Sequence, residues 1–368
     1  MTIGIVGAGQ LGRMMALAGY PLGFDFLFLD REARTPGGQV GPILCGELTD
    51  RKLLGELSQR CEVLTFDWEN IPVEALEGLP GKARISPPLR ALSAAQDRLA
   101  EKRTFDLLGI PTTKYAAVDS LAALESAVQR IGLPGVLKTR KLGYDGKGQF
   151  VLRKPADIGR AWEALGSAPL LYENLVPFDY EVSVICVRGL DGKLAFYPLN
   201  LNVHREGILR LTRAPFGGAA LTRRAQNAAR RVAEHFGYVG VLTIEFFVRR
   251  GQLVANEMAP RVHNSGHWTI EGAETSQFEN HVRAVAGLPL GSTRPRGHSA
   301  MINLIGDMPP RDKLLGEPAL HWHDYGKSPR PGRKLGHITV NEATPRLRDQ
   351  RAFKVLSRVD RATWLAVR

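Results

Sequence analysis

The first 90 residues alternate apolar runs with amphipathic ones, which predicts alternating strands and helices. The run TIGIV leads through a glycine turn into the helical pattern QLGRMMALAG, and the run FDFLFLD then ends in Asp30. DRKLLGELSQR has helical periodicity, CEVLTFDWE is a strand pattern, and VEALEGL is helical again. Strands and helices that alternate in this way build a parallel sheet. Residues 1–90 therefore predict a small Rossmann-like α/β domain.

Residues 91–296 change to a strand-rich, antiparallel α+β pattern. Helices are predicted over AAQDRLAEKRTFDLLG, SLAALESAVQRIGLP, ADIGRAWEALG and ALTRRAQNAARRVAEHFG. Strands are predicted over GVLKTR, QFVLR, LLYENLV, YEVSVICVRG, LAFYPLNLNVHREGILR and VLTIEFFVRRGQLVANEMA. Residues 297–368 predict a third, small β-rich unit with strands AMINLIG, HWHDYG and GHITVNE and a helix around DQRAFKVLSRV.

Composition narrows the class of protein. The chain has 368 residues, no apolar run approaches the roughly 18 residues of a membrane span, and its N-terminus has no signal-peptide pattern. The three cysteines are far apart, which indicates a reducing cytoplasm and neither a disulfide framework nor a cysteine zinc site. The net charge is +12, yet basic and aromatic residues do not alternate as they do in proteins that bind single-stranded nucleic acid. A small anionic substrate is favoured over nucleic acid.

The opening glycines allow a dinucleotide-binding interpretation. Gly7, Gly9 and Gly12 form G-x-G-x-x-G between a strand and a helix, and Asp30 follows near the position of a ribose-binding acid. The same turn also packs helices against strands in unrelated proteins. An NAD-dependent dehydrogenase is therefore an alternative.

A pair of strands in the middle region carries acidic residues that suit a metal ion. Glu245 lies within the apolar strand VLTIEFFV, and Asn256 and Glu257 end the next strand after a short turn. Buried carboxylates need a cation, and Mg²⁺ prefers one or two carboxylates together with phosphate oxygens. A structural ion pair with Arg261 is the alternative.

Lys138 ends another apolar strand and precedes a glycine-rich loop. A lysine there can neutralise a phosphate, and the loop from Gly143 to Gln149, within a flap over residues 141–150, can close over a nucleoside triphosphate. The loop is not a Walker A motif, because GxxxxGK[ST] is absent. An ordinary solvated hairpin is the alternative.

Three further motifs carry polar chemistry. An extended ENLV segment can bind an adenine edge through its backbone, and Glu181 can accept from ribose hydroxyls. The tail motif RPGRK places three cations around a turn, which suits a phosphate monoester. His263 and His267 have HxxxH spacing, but the intervening Asn-Ser-Gly favours a loop over a zinc-binding helix.

The order of these motifs resembles the ATP-grasp superfamily from about Arg98 to His267, preceded by the Rossmann-like, pre-ATP-grasp domain that such enzymes carry. GAGQLGRM, GYDGKGQ, NEMAPRVHNSGHWT, INLIG and RPGRKLGH are most similar to signatures of the 5-(carboxyamino)imidazole ribonucleotide synthetases. The resemblance covers nearly the whole chain, and NEMAPRVHNSGHWT is its most specific motif.

The resemblance implies an ATP-dependent carbon–nitrogen ligase of de novo purine biosynthesis. Such an enzyme carboxylates 5-aminoimidazole ribonucleotide with bicarbonate through carboxyphosphate and yields ADP and phosphate. It implies ATP and two Mg²⁺ ions without biotin, a homodimer, and a cytoplasmic location. A formate-dependent glycinamide ribonucleotide transformylase and a biotin carboxylase share the nucleotide site and are the alternatives within the superfamily.

The resemblance also implies roles for individual residues. The implied ATP contacts are Arg98, Lys138, Gly143, Tyr144, Asp145, Gly146, Lys147, Gly148, Gln149, Glu173, Asn174, Leu175, Val176, Glu181, His204 and Asn256. The implied metal ligands are Glu245 and Glu257. The implied substrate contacts are Gln10, Leu11, Glu69, Tyr144, Arg261, His263, Asn264, Ser265, Lys327, Arg333 and Lys334. The implied catalytic residues are Lys138, Asp145, Arg261 and His263, and either Asp145 or His263 could take up the amine proton.

Overall fold

The computed structural model describes residues 1–143 and 148–367. Its N-terminal part is a parallel sheet in the order β3-β2-β1-β4-β5, which confirms the predicted α/β domain. The strands are β1 (Thr2–Val6), β2 (Asp25–Asp30), β3 (Ile43–Cys45), β4 (Val63–Phe66) and β5 (Arg84–Ile85). The helices are α1 (Gln10–Gly19), α2 (Arg51–Arg60) and α3 (Val73–Leu76).

Two helices, α4 (Leu89–Gln96) and α5 (Arg98–Leu107), connect this domain to the rest of the chain. The prediction of one continuous helix here is wrong, because Asp97 has extended backbone angles and separates them. Its carboxylate accepts the Leu99 N–H at 2.9 Å and pairs with Arg140, so it caps the second helix.

A four-stranded antiparallel sheet follows in the order β6-β9-β7-β8. Its strands are β6 (Tyr115–Val118), β7 (Gly135–Thr139), β8 (Gln149–Leu152) and β9 (Leu170–Asn174). Helices α6 (Leu121–Ile131) and α7 (Asp157–Leu165) pack against it. The glycine-rich loop connects β7 to β8, and the part of it from residue 144 to 147 lies outside the described residues.

The largest sheet has nine strands, ordered β15-β14-β10-β12-β13-β16-β18-β17 with β11 beside β10. From the middle region come β10 (Tyr180–Arg188), β11 (Leu194–Phe196), β12 (Asn200–Arg205), β13 (Ile208–Ala214), β14 (Gly240–Arg249) and β15 (Gln252–Ala259). From the tail come β16 (His298–Ile305), β17 (Leu320–Asp324) and β18 (Lys334–Glu342). Because β16 pairs with β13, the predicted third unit continues the sheet of the second.

The run LAFYPLNLNVHREGILR, predicted as strand, forms three strands. Glu206 and Gly207 both have positive φ, at 55° and 74°, and this two-residue turn folds β13 back onto β12. The remaining helices are α8 (Ala219–Phe236), α9 (Thr269–Gly272), α10 (Gln277–Ala286), α11 (Pro345–Val359) and α12 (Arg361–Val367). Short 3₁₀ turns lie at Tyr20–Leu22, Gly37–Gln39, Asn264–Gly266 and Arg311–Lys313.

Helix α10, for which the sequence analysis offers no prediction, packs against α1 of the first domain and against β10 and β14 of the large sheet. Apolar side chains of all four elements form one buried cluster, with Met15 on α1, Phe278 on α10 and Val241 on β14 among its members. The parallel-sheet domain is thereby joined to the large sheet by a continuous core. Within residues 1–143 and 148–367, every helix is too short or too polar to cross a lipid bilayer.

Candidate active site

One cavity of about 660 Å³ gathers most of the predicted site residues from separate parts of the chain. It is bounded by the glycine turn after β1, the carboxyl end of β4, strands β7, β14 and β15, and the loop before β18. The predicted residues that line it are Gln10, Leu11, Glu69, Arg98, Lys138, Gly143, Gln149, Glu181, His204, Glu245, Asn256, Glu257, Arg261, His263, Asn264, Lys327 and Lys334.

Other predicted residues lie elsewhere. Tyr144, Asp145, Gly146 and Lys147 are outside the described residues. Arg333 lines an adjoining cavity of about 380 Å³, which shares Gly9 and Lys327 with the first. The predicted residues that line neither cavity are Gly148, Glu173, Asn174, Leu175, Val176 and Ser265.

Lys138 projects from β7 beside a buried carboxylate on the neighbouring strand β9. Its ammonium pairs with Glu173, which is 3% exposed, lies 3.5 Å from the Lys102 Nζ and accepts the Thr113 hydroxyl at 2.6 Å. Burial raises the pKa of Glu173, but Lys138 and Lys102 outweigh it and hold that pKa far below its usual range. The Glu173 side chain therefore holds two lysines in place, and only Lys138 reaches the cavity.

Arg98 begins helix α5 and touches both the flap and the acidic end of the cavity. Its guanidinium donates to the Gly143 carbonyl at 3.2 Å and lies 3.6 Å from a carboxylate oxygen of Glu257. The capping of α5 by Asp97 places Arg98 there. A cation at this point can bind phosphate while it contacts the loop that would cover it.

The two predicted metal ligands face each other. Glu245 on β14 pairs in register with Glu257 on β15, and a β-bulge follows Glu245. Burial raises the pKa of Glu245 to about 7, against the lowering effect of His204, with the neighbouring Glu257 and Glu181 raising it further. Two close carboxylates with no cation between them repel, so this pair fits a divalent cation.

The acidic pair is not by itself a complete metal cage. In the part of the chain that the structure describes, no group of three or more His, Cys, Asp or Glu side chains could hold a metal ion. That composition suits Mg²⁺, which takes one or two protein carboxylates and completes its shell with phosphate oxygens and water. The predicted loop between His263 and His267 is confirmed as a 3₁₀ turn formed by Asn264–Gly266.

His204 lies between the acidic pair and a third carboxylate. Its Nδ1 is 3.0 Å from Glu181, and its Nε2 is 3.9 Å from Glu245. Burial lowers the pKa of His204, but the hydrogen bond to Glu181 and the charges of Glu245 and Glu181 raise it to about 9. His204 is therefore a cation at neutral pH and screens the carboxylates from one another.

Arg261 and Glu69 form a bidentate pair across the cavity. The Arg261 guanidinium donates twice to the Glu69 carboxylate, once at 2.7 Å, and a third donation goes to the Val262 carbonyl at 3.0 Å. Burial raises the pKa of Glu69, but Arg261 reverses the shift and leaves the pKa below its usual value. The pair fixes the guanidinium plane between the first domain and the large sheet.

Asn264 presents unsatisfied polar atoms in the same region. Neither its amide nitrogen nor its amide oxygen has a hydrogen-bond partner within residues 1–143 and 148–367, although both are buried. Buried amides are nearly always hydrogen-bonded in folded proteins. Since Asn264 lines the cavity, its amide is available to a ligand there.

A basic group from the tail closes the far side. The Lys327 ammonium donates to the Gln10 side-chain oxygen, and Lys334 lines the same cavity while Arg333 lines the adjoining one. Burial, opposed by Asp67 and assisted by nearby cations such as Arg333, lowers the pKa of Lys327 to about 8. A cationic group beside the first glycine turn is suited to a phosphate.

The backbone N–H groups of the glycine turn already donate hydrogen bonds to side-chain carboxylates. Asp67, at the end of β4, accepts the N–H groups of Gly9 and Gly12, and Asp30 accepts the Ala8 N–H at 2.6 Å. In a dinucleotide site these N–H groups bind the pyrophosphate. The alternative of an NAD-dependent dehydrogenase is therefore wrong, because a negative phosphate would meet negative side chains.

Sequence reasoning missed several polar residues in or beside the site, among them Asp67, Glu101 and Lys102. Asp67 follows a parallel strand next to β1, and that position could have revealed it. Glu101, with its pKa raised by burial to about 8, and Lys102 are buried on α5, where helical periodicity gives a charged residue no sign of burial. Lys102 donates to the Asn256 carbonyl at 2.8 Å and so braces the acidic strand.

Known families match three consecutive parts of the chain. The ribonucleotide synthetase preATP-grasp domain matches residues 1–96, and the ATP-grasp domain matches residues 103–278. The phosphoribosylaminoimidazole carboxylase C-terminal domain matches residues 299–351. These matches confirm the predicted fold class.

Individual relatives agree along nearly the full length. The N5-carboxyaminoimidazole ribonucleotide synthase of Pseudomonas aeruginosa is 50% identical over 340 residues, which is 92% of this chain and 94% of that relative. The crystal structure of N5-carboxyaminoimidazole ribonucleotide synthetase from Thermus thermophilus superimposes with a TM-score of 0.93 at 50% identity, covering 97% of this chain and 98% of that one.

A third relative was crystallised with ligands. The N5-carboxyaminoimidazole synthase of Aspergillus clavatus, in complex with ADP and 5-aminoimidazole ribonucleotide, superimposes with a TM-score of 0.91 at 31% identity. The match covers 98% of each chain. This likeness extends over all three predicted units.

Proposed function

Because the chain belongs to the N5-carboxyaminoimidazole ribonucleotide synthase family of ATP-grasp enzymes, we propose that it carboxylates 5-aminoimidazole ribonucleotide with bicarbonate and ATP in purine biosynthesis. The products are 5-(carboxyamino)imidazole ribonucleotide, ADP and phosphate. One observation carries the proposal: a single cavity holds cations suited to phosphates, an acidic pair suited to Mg²⁺ and the unsatisfied Asn264 amide. The family assignment removes the transformylase and biotin carboxylase alternatives.

ATP occupies the side of the cavity formed by the four-stranded sheet and β15. Lys138 and Arg98 bind its phosphates, and Glu181 accepts from the ribose hydroxyls. The Gly143–Gln149 segment of the flap between β7 and β8 would cover the phosphates. His204 and Asn256 are the neighbouring residues that would also contact ATP. The segment from Glu173 to Val176 does not line the cavity, so the adenine edge would have to extend beyond the cavity to meet its backbone groups. Support for this placement comes from the cavity lining at Lys138, Arg98 and Glu181.

Glu245 and Glu257 are the residues that would hold Mg²⁺ beside the ATP phosphates. The bound ions would neutralise the charge of the transferring phosphoryl group. The in-register pairing of the two carboxylates across β14 and β15 supports this role. Phosphoryl transfer depends on positioning and electrostatics, and the rigid hairpin supplies positioning.

The reaction has two steps. A bicarbonate oxygen attacks the γ-phosphorus, and the bond to the ADP oxygen breaks, so that carboxyphosphate and ADP form. The exocyclic amine then attacks the carboxyl carbon of carboxyphosphate, phosphate leaves, and the amine loses a proton to a base. Arg261, His263 and Asn264 lie where they can bind the oxygens of carboxyphosphate, next to the acidic pair.

The ribonucleotide lies between the first domain and the tail. Lys327, Arg333 and Lys334 bind its phosphate, and the Gln10–Leu11 turn and Glu69 contact its other side. The Gln10 side chain accepts a hydrogen bond from the Lys327 ammonium. This contact supports one binding site formed by two segments that are distant in sequence. Closure of the flap over both substrates would keep water from hydrolysing carboxyphosphate.

Phosphate release from Mg·ATP and bicarbonate tests the proposal, measured with and without 5-aminoimidazole ribonucleotide. We expect release to depend strongly on the nucleotide, with one carboxylated product formed per phosphate. ATP turnover that ignores the nucleotide would keep the ATP site and reassign the acceptor. Absence of turnover under all conditions would contradict the proposal.

Three further proposals rest on the family resemblance. The chain acts as a homodimer in the cytoplasm, and its units divide at residues 1–90, 91–296 and 297–368. Light scattering on the purified chain tests the first of these. Limited proteolysis followed by mass spectrometry tests the division, with cleavage expected near residues 90 and 297.

A further inference from the structure

A chain of buried hydrogen bonds leads from the interior of the large sheet to His263. It begins at Trp268, whose indole nitrogen donates to the Asn200 side-chain oxygen at 2.9 Å. An indole N–H can only donate, so this contact identifies which end of the Asn200 amide is the oxygen. The Asn200 nitrogen then donates to the Ser265 carbonyl at 3.1 Å, which agrees with the same orientation.

The next member is Ser183, which is fully buried on β10. Its hydroxyl oxygen accepts from the side-chain nitrogens of Asn200 at 3.2 Å and Asn202 at 3.0 Å. A hydroxyl has two acceptor positions and one proton to donate. Both acceptor positions are filled, so the Ser183 proton goes to its third neighbour, the Ser265 hydroxyl at 2.8 Å.

Hydrogen-bond donation continues in the same direction from Ser265 to the His263 imidazole. Its hydroxyl accepts from Ser183, so its own proton points to the His263 Nδ1 at 2.8 Å. The Ser265 backbone N–H, which can only donate, also points to the same nitrogen at 3.3 Å. Two donors therefore point at the His263 Nδ1. A proton on that nitrogen would be repelled by both donor protons.

With Nδ1 acting as an acceptor, the ring carries its proton on Nε2. That nitrogen faces the cavity and lies 3.5 Å from the Glu245 carboxylate. Asn200, Ser183 and Ser265, which we call the serine relay, are all fully buried and separated from solvent. None of the three lines the cavity, so a ligand there would not contact them directly.

We propose that the serine relay holds His263 as the neutral Nε2–H tautomer, so that it donates a hydrogen bond to an oxygen of the carboxyphosphate and cannot accept the amine proton. The identity of the oxygen rests on the proposed function, whereas the tautomer does not. Ser265, predicted as a substrate contact, is then a positioning residue that acts through His263. The amine proton must go to another group.

Nitrogen NMR of the full chain tests the tautomer directly. Histidine labelled with ¹⁵N in the ring is incorporated, and long-range proton–nitrogen correlations show which nitrogen carries the proton; the spectrum of His263→Gln identifies the signal. We expect Nε2 protonated and Nδ1 bare. A proton on Nδ1, or on both nitrogens, would overturn the proposal. This readout needs no turnover, so it stands apart from any failure of the proposed function.

The serine relay is tested by Ser265→Ala, with Ser58→Ala as the control. Ser58 is also a buried serine, but it lies on α2 in the parallel-sheet domain. Ser265→Ala removes the hydroxyl donor and leaves only the backbone N–H at 3.3 Å, so we expect a minor population of the Nδ1–H tautomer to appear beside Nε2–H, and Ser58→Ala to leave the spectrum of His263 unchanged. An unaltered tautomer in Ser265→Ala would refute control by the relay.

Kinetics separate a donor from a base at His263. The amide of His263→Gln can donate a hydrogen bond but cannot take up a proton near neutral pH, whereas His263→Ala does neither. We expect the kcat of His263→Gln to exceed that of His263→Ala by about tenfold. Equal losses in the two variants, with the pH profile of kcat losing its acidic limb in both, would show that His263 is the base.

Discussion

At the scale of single residues, Glu173 holds Lys138 in place on the side of the cavity proposed for ATP, although Glu173 itself does not line the cavity. It is almost fully buried and interacts with Lys138, Lys102 and the Thr113 hydroxyl. Removing one partner of a buried ion pair leaves the other charge uncompensated, which costs about 3–5 kcal/mol. Here one carboxylate interacts with two ammonium groups.

We therefore predict that Glu173→Gln lowers the free energy of unfolding by about 3 kcal/mol or more. Urea unfolding followed by circular dichroism measures the change. Glu163→Gln is the matched control, because Glu163 is exposed on α7 of the same sheet unit, and it should change stability by less than about 0.5 kcal/mol. Equal stability of the two variants would contradict a structural role for Glu173.

Lys138 is expected to behave in the opposite way. Lys138→Ala leaves Glu173 with Lys102 and Thr113, so the fold should persist, but it removes the cation proposed for the ATP phosphates. We predict that kcat for phosphate release falls by about 10²-fold or more. The exposed Lys154→Ala serves as control and should retain full activity. Near-normal turnover by Lys138→Ala would remove Lys138 from the mechanism.

The sequence reveals the reactive member of such a pair more readily than its partner. Lys138 ends an apolar run just before a glycine-rich loop, and that local pattern indicates phosphate chemistry. The pairing with Glu173 depends on the neighbouring position of β7 and β9, which are separated by a helix and another strand. Local spacing carries no information on which strands become neighbours, so the role of the Glu173 side chain could not be predicted.

At the scale of elements, the β14–β15 hairpin aligns Glu245 with Glu257. We predict that Glu245→Gln and Glu257→Gln each raise the Mg²⁺ concentration needed for half-maximal activity by about tenfold or more. Titration of turnover with MgCl₂ after removal of divalent ions with EDTA measures this. Glu163→Gln should follow the wild-type titration curve. Unchanged curves for both hairpin variants would place the metal elsewhere.

This hairpin was predictable because its two strands and its turn are consecutive in sequence. The break at Asp97 was not predictable, since the helical pattern continues through it and only the structure shows that its carboxylate accepts the Leu99 N–H as a cap and pairs with Arg140. Helix α10 was missed although it is amphipathic, and its buried positions include polar side chains that a pattern of apolar residues does not mark as buried. The buried residues of this helix are Gln277, Phe278, Asn280, His281, Val282, Ala284 and Val285.

At the scale of the whole molecule, a buried histidine of α10 adds a polar contact between the parallel-sheet domain and the large sheet. The His281 Nδ1 accepts the Val241 N–H of β14 at 3.1 Å, and its Nε2 lies 2.8 Å from the Thr65 hydroxyl of β4. The ring is fully buried, and burial lowers its pKa to about 4. No sequence pattern could indicate this, because the three segments are distant along the chain.

This histidine makes the stability of the molecule depend on pH in a defined direction. The unfolded chain protonates His281 below pH of about 6.5, but the folded chain does so only below about 4. Between these values the unfolded state binds more protons, so the free energy of unfolding falls as the pH is lowered. The full contribution is present above a pH of about 6.5, and about 3 kcal/mol of it is lost by a pH of about 4.

Other buried groups titrate in the same range, so the effect must be isolated by substitution. In His281→Asn the side-chain oxygen can still accept the Val241 N–H, but the group no longer titrates. We predict that wild-type protein loses about 3 kcal/mol more than His281→Asn between a pH of about 6.5 and about 4, measured by urea unfolding at several pH values. Exposed His235→Asn controls for the substitution itself and should run parallel to wild type. If the free energy of unfolding of His281→Asn depends on pH as that of wild type does, then protonation of His281 does not cause the loss of stability at low pH.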